Sequence, residues 1–303
     1  MTDSAPAIAT FGLGKRYPGS DKYAVKDLNL NILPGEMYGF LGPNGAGKST
    51  TIRLLMNFIQ PTEGHALVSN LNVVSESPAV KKSVGYLAGE VALYNKMTGA
   101  QFLEYMAALQ PPKHRHYQRD LTRLFQIDLS MKIGQLSRGN RQKIGLVQAL
   151  MHEPEVLILD EPTAGLDPLM QEVFFEMVRA GKKQGATFFI SSHNLSEVQK
   201  MCDRVGFIRD GKLIAEQTIA ELASQALQTY NISFADATPL TELRTIPGAR
   251  LKINTPRHVT VRIKGDLKPL FLVLARHKVI GLEREETNLE EEFLRFYRGG
   301  NKP

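Results

Sequence analysis

Cysteine is almost missing from this chain. Cys202 is the only one in 303 residues, which excludes an internal disulfide and any cysteine-built metal cluster and agrees with a reducing compartment. Cys202 itself reads as a partly buried helix residue. Long apolar runs are missing too. A stretch such as Pro269-Leu270-Phe271-Leu272-Val273-Leu274-Ala275 falls far short of the roughly 18 residues that cross a bilayer, so no direct membrane insertion is expected. Met1 to Thr10 has neither the basic n-region nor the apolar h-region of a secretory signal, and no export is expected. There is no internal repeat and no low-complexity tract. Acid is scarce in one place: Arg250, Lys252, Arg257, Arg262, Lys264, Lys268, Arg276 and Lys278 meet a single carboxylate, Asp266, before acidity returns at Glu283, Glu285, Glu286, Glu290, Glu291 and Glu292. The formal charge of +6 would suit nucleic acid or an anionic surface, yet such basicity is common and decides nothing alone. A solvated face, or a contact with the acidic tail, accounts for the basic stretch better than RNA or lipid, and no nucleic-acid partner is expected.

What is present is a regular alternation. With 43% hydrophobic residues the chain can bury one core of ordinary domain size plus a smaller appendage. From Ile8 to about Gln217, short β-rich runs alternate with longer helical ones, as in an α/β domain. Candidate strands are Val25 to Leu33, Met37 to Leu41, Val84 to Leu87, Val156 to Leu159, Thr187 to Ile190 and Arg204 to Ile208. Val156-Leu157-Ile158-Leu159 is apolar without alternation, as a strand buried on both faces should be. Between Thr98 and Met131 no such run appears; Phe102, Tyr105, Met106 and Leu109 recur at helical spacing, marking a helical insertion over about residues 90–150.

After Glu216 a helix, Ile219 to Leu227, leads to a boundary near Gln228, dividing the chain into 1–227 and 228–303. The second part reads as strand (Tyr230 to Phe234), helix (Pro239 to Arg244), strands (Arg250 to Asn254 and Val259 to Ile263), helix (Leu267 to Arg276) and strand (Val279 to Arg284). That β-α-β-β-α-β order predicts a small ferredoxin-like α+β unit. A closing helix, Asn288 to Arg298, puts Leu289, Phe293, Phe296 and Tyr297 on one stripe.

The chemistry begins at Gly42-Pro43-Asn44-Gly45-Ala46-Gly47-Lys48-Ser49-Thr50. It fits G-x-x-x-x-G-K-[ST] and stands between the strand Met37 to Leu41 and a helical run, Thr51 to Phe58. Glycines let successive amide N–H groups converge on phosphate oxygens, and the helix that follows adds its positive end. Lys48 is placed to reach β- and γ-phosphates, and the Ser49 hydroxyl to ligate Mg²⁺. A second element, Val156-Leu157-Ile158-Leu159-Asp160-Glu161, has the form of a Walker B strand: Asp160 at the strand's C-terminal end for the metal, Glu161 to polarise the attacking water. Asp-Glu after an apolar run is a weak signal alone and a strong one beside the phosphate loop. His114-Arg115-His116 with Tyr117 can be drawn as metal ligands, but an exposed helix start is the better reading.

Leu136-Ser137-Arg138-Gly139-Asn140-Arg141-Gln142, before the helical run Lys143 to Met151, resembles the LSGGQ signature of ATP-binding cassette (ABC) proteins. Read alone, Ser137 is an ordinary N-capping serine; between the other motifs it makes the resemblance specific. The resemblance covers roughly Ile8 to Leu222 and implies a P-loop NTPase cassette with a helical subdomain. It further implies two such domains paired head to tail, with Ser137 and Gly139 of one copy contacting the γ-phosphate of ATP on the other. Pro162-Thr163-Ala164-Gly165-Leu166-Asp167-Pro168 is similar to the D-loop region, with Asp167 expected at the dimer seam. Ser191-Ser192-His193 resembles the switch element whose histidine bonds the γ-phosphate, and Tyr17 matches the aromatic that stacks on adenine. Two departures stand out. Where the family has a glutamine after the strand Val84 to Leu87, this chain reads Ala88-Gly89-Glu90, so Glu90 either replaces it or is a solvated acid. In the signature, Arg138 and Asn140 replace glycine and glutamine, and Arg138 is expected to offset developing negative charge.

The resemblance implies an ATPase using ATP and Mg²⁺, the motor of a transporter. By the likeness of Leu289-Glu290-Glu291-Glu292-Phe293-Leu294 to drug-exporter ATPases, that transporter is an exporter. Its partners would be a separately encoded membrane permease and a second copy of itself, at the cytoplasmic face of the membrane. The alternative is a soluble ABC ATPase acting on ribosomes or DNA, which typically carries two cassettes or a long coiled-coil insertion; this chain has one phosphate loop. A GTPase would need Asn-Lys-x-Asp, which does not occur.

Overall fold

The computed structural model describes residues 5–225 and 228–285. The closing helix expected at 288–298 lies outside them. The chain divides into two compact units, Met1–Glu216 and Gln217–Pro303, so the helix Ile219–Gln225 groups with the second unit rather than the first.

The first unit rests on a six-stranded sheet in the order Lys212–Thr218, Arg204–Arg209, Met37–Leu41, Thr187–Ser192, Val156–Asp160, Val84–Leu87. The pairs from Arg204–Arg209 through Val84–Leu87 are parallel. Every residue of Met37–Leu41, Thr187–Ser192 and Val156–Asp160 is buried, which explains their unbroken apolar runs: helices cover both faces of such a sheet. Phe40, Phe189 and Tyr38 are fully enclosed, each contributing about 1.5–3 kcal/mol by burial. Three of the expected strands extend one or two residues beyond the apolar run, taking in polar Asp160, Ser191 with Ser192, and Arg209; Asp160 still pairs with Ser191, and Ser192 with Leu41.

A second, four-stranded sheet has the order Tyr23–Ile32, Ile8–Arg16, Glu63–Val68, Leu71–Asn72. Tyr23–Ile32 is the strand expected at Val25 to Leu33, shifted toward the N-terminus, whereas Ile8–Arg16, Glu63–Val68 and Leu71–Asn72 carry no clear strand pattern, for a physical reason. Ile8–Arg16 slips register between Thr10 and Leu13, and again at Lys15, around Gly12 at φ 55, so strict alternation is lost. The helix Lys48–Leu55 joins both sheets through one core, in which Ile52 and Leu55 cluster with Leu13, Val25 and Leu28 on one side and Phe40, Ile158 and Phe189 on the other. This helix begins at Lys48 rather than Thr51, because the phosphate-loop residues Lys48-Ser49-Thr50 form its first turn.

The insertion consists of helices Gly99–Leu109, Arg115–Leu124 and Arg138–Leu150. An isolated bridge between Thr98 and Lys132 ties the approach to its first helix to the approach to its last. Thr98 also caps its helix reciprocally with Gln101, satisfying two donors that a helix start leaves free.

In the second unit the strands Arg250–Thr255, His258–Ile263, Gln228–Phe234 and Val279–Arg284 form one antiparallel sheet in that order. With helices Leu240–Arg244 and Lys268–Leu274 as crossovers, this is the split β-α-β pattern. Tyr230, Ile232 and Phe234 pack with Val259, Val261 and Ile263 and with Leu243, Leu270 and Val273 from the helices.

Candidate active site

Parallel strands end together, and their C-terminal edge is where an open α/β sheet binds ligands. Four adjacent strands deliver the candidate residues there. Leu41 leads into the phosphate loop; Leu41 pairs with Ser192, just before His193. Asp160 pairs with Ser191, and Leu87 precedes Ala88 and Gly89 beside Leu159. Strand order alone therefore gathers residues that lie far apart in sequence.

The loop's geometry demands glycine. Gly47, at φ 112, caps the helix, and a Cβ there would stand 2.5 Å from the Ala24 carbonyl oxygen. Gly42 donates its N–H to Ser192 O at 3.2 Å. The cleft beneath is lined by Ala24, Pro43, Asn44, Gly45, Gly47, Lys48, Ser49, Thr50 and Glu161; Ala46 is buried behind it. Lys48 is buried, and its ammonium donates to Gly42 O at 2.6 Å and Pro43 O at 3.3 Å while facing Glu161 Oε1 at 3.3 Å.

Asp160 is buried and accepts from the Ser191 hydroxyl. Gly89 abuts it: a Cβ on Gly89 would lie 3.1 Å from Asp160 Oδ2. Tyr86, on the edge strand Val84–Leu87, has its hydroxyl pushed up to about 12 by burial, with the Asp160 charge adding to the effect. Among the described residues no group of three His, Cys, Asp or Glu could hold a metal alone. A Ser49 hydroxyl and one carboxylate suit Mg²⁺ instead, which binds through one or two protein groups together with phosphates and water.

Glu161 is the most constrained residue of the site. It sits at φ 49, a left-handed conformation that costs a non-glycine residue roughly 1–3 kcal/mol and persists only where neighbours hold it. Its N–H donates to Ser191 O at 3.2 Å and Ser191 Oγ at 3.1 Å. Its carboxylate is shared between Lys48 and His193 Nδ1, the latter at 2.8 Å.

The remaining candidates lie elsewhere. Ser137 accepts from the Asn140 N–H at 3.3 Å as N-cap of Arg138–Leu150, the ordinary capping job. Gly139 packs on the D-loop stretch, where a Cβ would meet Gly165 O at 2.5 Å. Neither lines the phosphate-loop cleft. Asp167 likewise serves locally, capping Pro168–Lys183 by accepting from Met170 N at 3.0 Å. Tyr17 follows the strand Ile8–Arg16 with Lys15 Nζ 5.6 Å from its ring centre, at the end where Arg16 pairs with Tyr23, next to Ala24 of the cleft. Glu90 is exposed and shares a second cleft with Gly89, Val91, Arg138, Arg141 and Gln142. His114 pairs with Glu153 at 2.9 Å.

The sequence of the family described as ABC transporter matches residues 25–164. The ABC transporter ATP-binding protein NatA of Bacillus subtilis (strain 168) is 35% identical over 205 residues, 66% of this chain and 83% of that protein. The bacitracin transport ATP-binding protein BcrA of Bacillus licheniformis is 31% identical over 302 residues, 97% of this chain and 98% of that one. The chain belongs to the ABC transporter ATP-binding proteins. A solved structure of an ATP-binding subunit of an ABC transporter superposes with a TM-score of 0.66 at 27% identity, over 71% of this chain and 91% of that one. The chain is thus an ABC ATPase, an ATP-binding protein with a P-loop cassette for its fold.

Three residues of this ABC ATPase have contacts at the site that the sequence does not assign, two of them, Ser191 and Gln142, inside the switch and signature stretches. Ser191 bonds both Asp160 and Glu161. Glu197 accepts from Thr163 Oγ1 at 2.8 Å and Ser192 Oγ at 3.1 Å, joining the D-loop stretch to the switch strand. Gln142 is buried and donates to the carbonyls of Glu161 and Pro162. A lone polar residue on the otherwise apolar buried face of its helix was the available signal for Gln142. Nothing local distinguishes the other two.

Proposed function

We propose that this chain is the ATP-hydrolysing motor subunit of an exporter. In this reading, two copies bind ATP between them head to tail and energise a separately encoded membrane permease from the cytoplasmic face. The observation that carries the reading is the Glu161 carboxylate held between Lys48 and His193 at the mouth of the phosphate loop, an arrangement suited to orienting a water for attack on a γ-phosphate.

Each residue then has a role. The N–H groups of the loop Gly42 to Thr50 cradle the phosphates, and Lys48 shifts its ammonium from loop carbonyls to phosphate oxygens. The Ser49 hydroxyl and the Asp160 carboxylate would hold Mg²⁺, which when bound would neutralise charge on the phosphates. Glu161 accepts a proton from the attacking water, and His193 holds that carboxylate in place and donates toward the γ-phosphate. Tyr17 stacks on adenine. Pairing of two copies is supported by the position of Ser137 and Gly139 outside their own chain's phosphate cleft, so that a second copy's nucleotide is what they would contact, with Asp167 at the seam. Transport is supported by the bacitracin transport ATP-binding protein, which this chain matches over nearly its full length, and the direction, export, by the likeness of the stretch Leu289 to Leu294 to drug-exporter ATPases. Among the described residues no helix is long and apolar enough to cross a membrane, so attachment would run through the permease.

The test is Glu161→Gln, which should bind ATP, stall hydrolysis and accumulate a closed dimer on gel filtration. A variant that stays monomeric and turns over normally would overturn the reading. Co-sedimentation with membranes only when a multi-span partner is co-expressed supports transport, whereas sedimentation with ribosomes supports a soluble role.

A further inference from the structure

We infer that Gln142 is a positioning residue for hydrolysis, fixing the backbone that aims the Glu161 carboxylate; this rests on Glu161 serving as the base. Gln142 is 3% exposed, and its side-chain amide donates to Glu161 O at 3.3 Å and Pro162 O at 3.1 Å. The Glu161 peptide is therefore gripped from two sides. The sheet holds its N–H through Ser191, and the helix Arg138–Leu150 holds its C=O through Gln142. Two anchors flanking one left-handed residue at φ 49 set the direction of its Cα–Cβ bond, and with it where the carboxylate points. Without Gln142 the Glu161 C=O keeps the Ala164 N–H, 3.0 Å away within the same turn. That bond moves with the loop rather than tying it to the helix, so the peptide can relax toward an ordinary conformation and turn the carboxylate away.

The residue type follows from the acceptors. Two carbonyls converge on one group, and an amide NH₂ offers two donors. Glutamate would set acceptors against acceptors. An apolar side chain would leave both carbonyls without this donor at a buried position, a loss that buried polar groups resist. The bond also makes the start of the signature helix and the base one mechanical unit, because Gln142 lies in the first turns of the helix that Ser137 caps. None of this needs Gln142 to touch nucleotide, and it does not line the phosphate-loop cleft.

The experiment uses the full chain with Gln142→Met, which keeps length and burial but not the donors, and Gln142→Ala as a second variant should Met pack poorly. Single-turnover hydrolysis of ATP should slow by about a hundredfold, the scale of a small misplacement of a reacting group, while affinity for ATP is unchanged. In a Glu161→Gln background the same substitution should add no further loss, because both changes act on one step. Losses that multiply in the double variant, affinity falling in step with rate, or Gln142→Met hydrolysing at the full rate would each overturn the inference. Normal turnover by Glu161→Gln alone would instead remove the base itself, and this inference with it.

Discussion

Glu161 Oε2 lies 2.8 Å from His193 Nδ1. The His193 side chain is 60% exposed and that of Glu161 19%, so as a stabilising ion pair this contact is worth little, about 0–1 kcal/mol. Its value lies in aim, because the other carboxylate oxygen faces Lys48 and, among the described residues, His193 is what fixes the free end. His193→Ala should therefore leave the thermal midpoint and ATP affinity intact while lowering kcat by about 10²-fold, comparable to losing one pre-set catalytic hydrogen bond. Steady-state ATPase assays with nucleotide titrations check this, and an unchanged kcat would take His193 out of the site.

Gly47→Ala should damage folding and binding together. At φ 112 a side chain costs about 1–2 kcal/mol in left-handed strain, and a Cβ 2.5 Å from Ala24 O adds overpacking of about 1–3 kcal/mol. Denaturant midpoints should fall accordingly, and ATP affinity should drop because the amide cradle is displaced. Gly45 offers the contrast: a Cβ there meets nothing within 4 Å, so Gly45→Ala carries only the backbone strain of φ 81.

These residues also show what the sequence can and cannot reveal. The phosphate loop and the strand before Asp160 were legible because their chemistry is written contiguously: glycines at fixed spacing, then lysine, and an apolar run ending in carboxylates. The strands Ile8–Arg16 and Glu63–Val68 were not, since register shifts and glycines break their alternation. Gln142, Ser191 and Glu197 act on backbone or side-chain groups brought near only by folding, and no spacing along the chain records that. Ser137 and Asp167 show the converse. Their motif positions were legible, while their hydrogen bonds in this chain are those of helix caps.

His152 supplies a pH dependence. Burial lowers its imidazole below the ordinary value of 6.5, against hydrogen bonds to the backbone of Val84 and Gln148 that act the other way. A group with a depressed native pKa leaves stability whole above its unfolded value and erodes it as pH falls through the native value, since the unfolded chain takes up the proton first. Stability should thus decline as pH drops below about 6.5, before most carboxylates titrate. His152→Phe should flatten the slope in that window; denaturant melts across the pH series measure it, and an identical slope in the variant would exclude His152 as the source.

The second unit has its own core, and every phosphate-site residue lies before it, so a chain ending at Gln225 should still bind ATP. Where the cut falls matters more than how much is removed. The enclosed Tyr38 hydroxyl donates to Glu216 Oε1 at 2.6 Å, and Arg204 pairs with Glu216 Oε2 at 3.0 Å as well as with Glu36. Burial and the Glu216 charge together hold the Tyr38 phenol well above its ordinary range, so it stays a donor that must find an acceptor. A cut after Arg209 discards that acceptor and should cost about 1–3 kcal/mol for the stranded hydroxyl alone, besides the lost edge strand Lys212–Thr218. Fluorescent-nucleotide titration and thermal melts of the two truncations distinguish these outcomes: binding retained at 225 and weakened stability at 209. Equal melting of both would mean that Glu216 does not anchor the sheet edge.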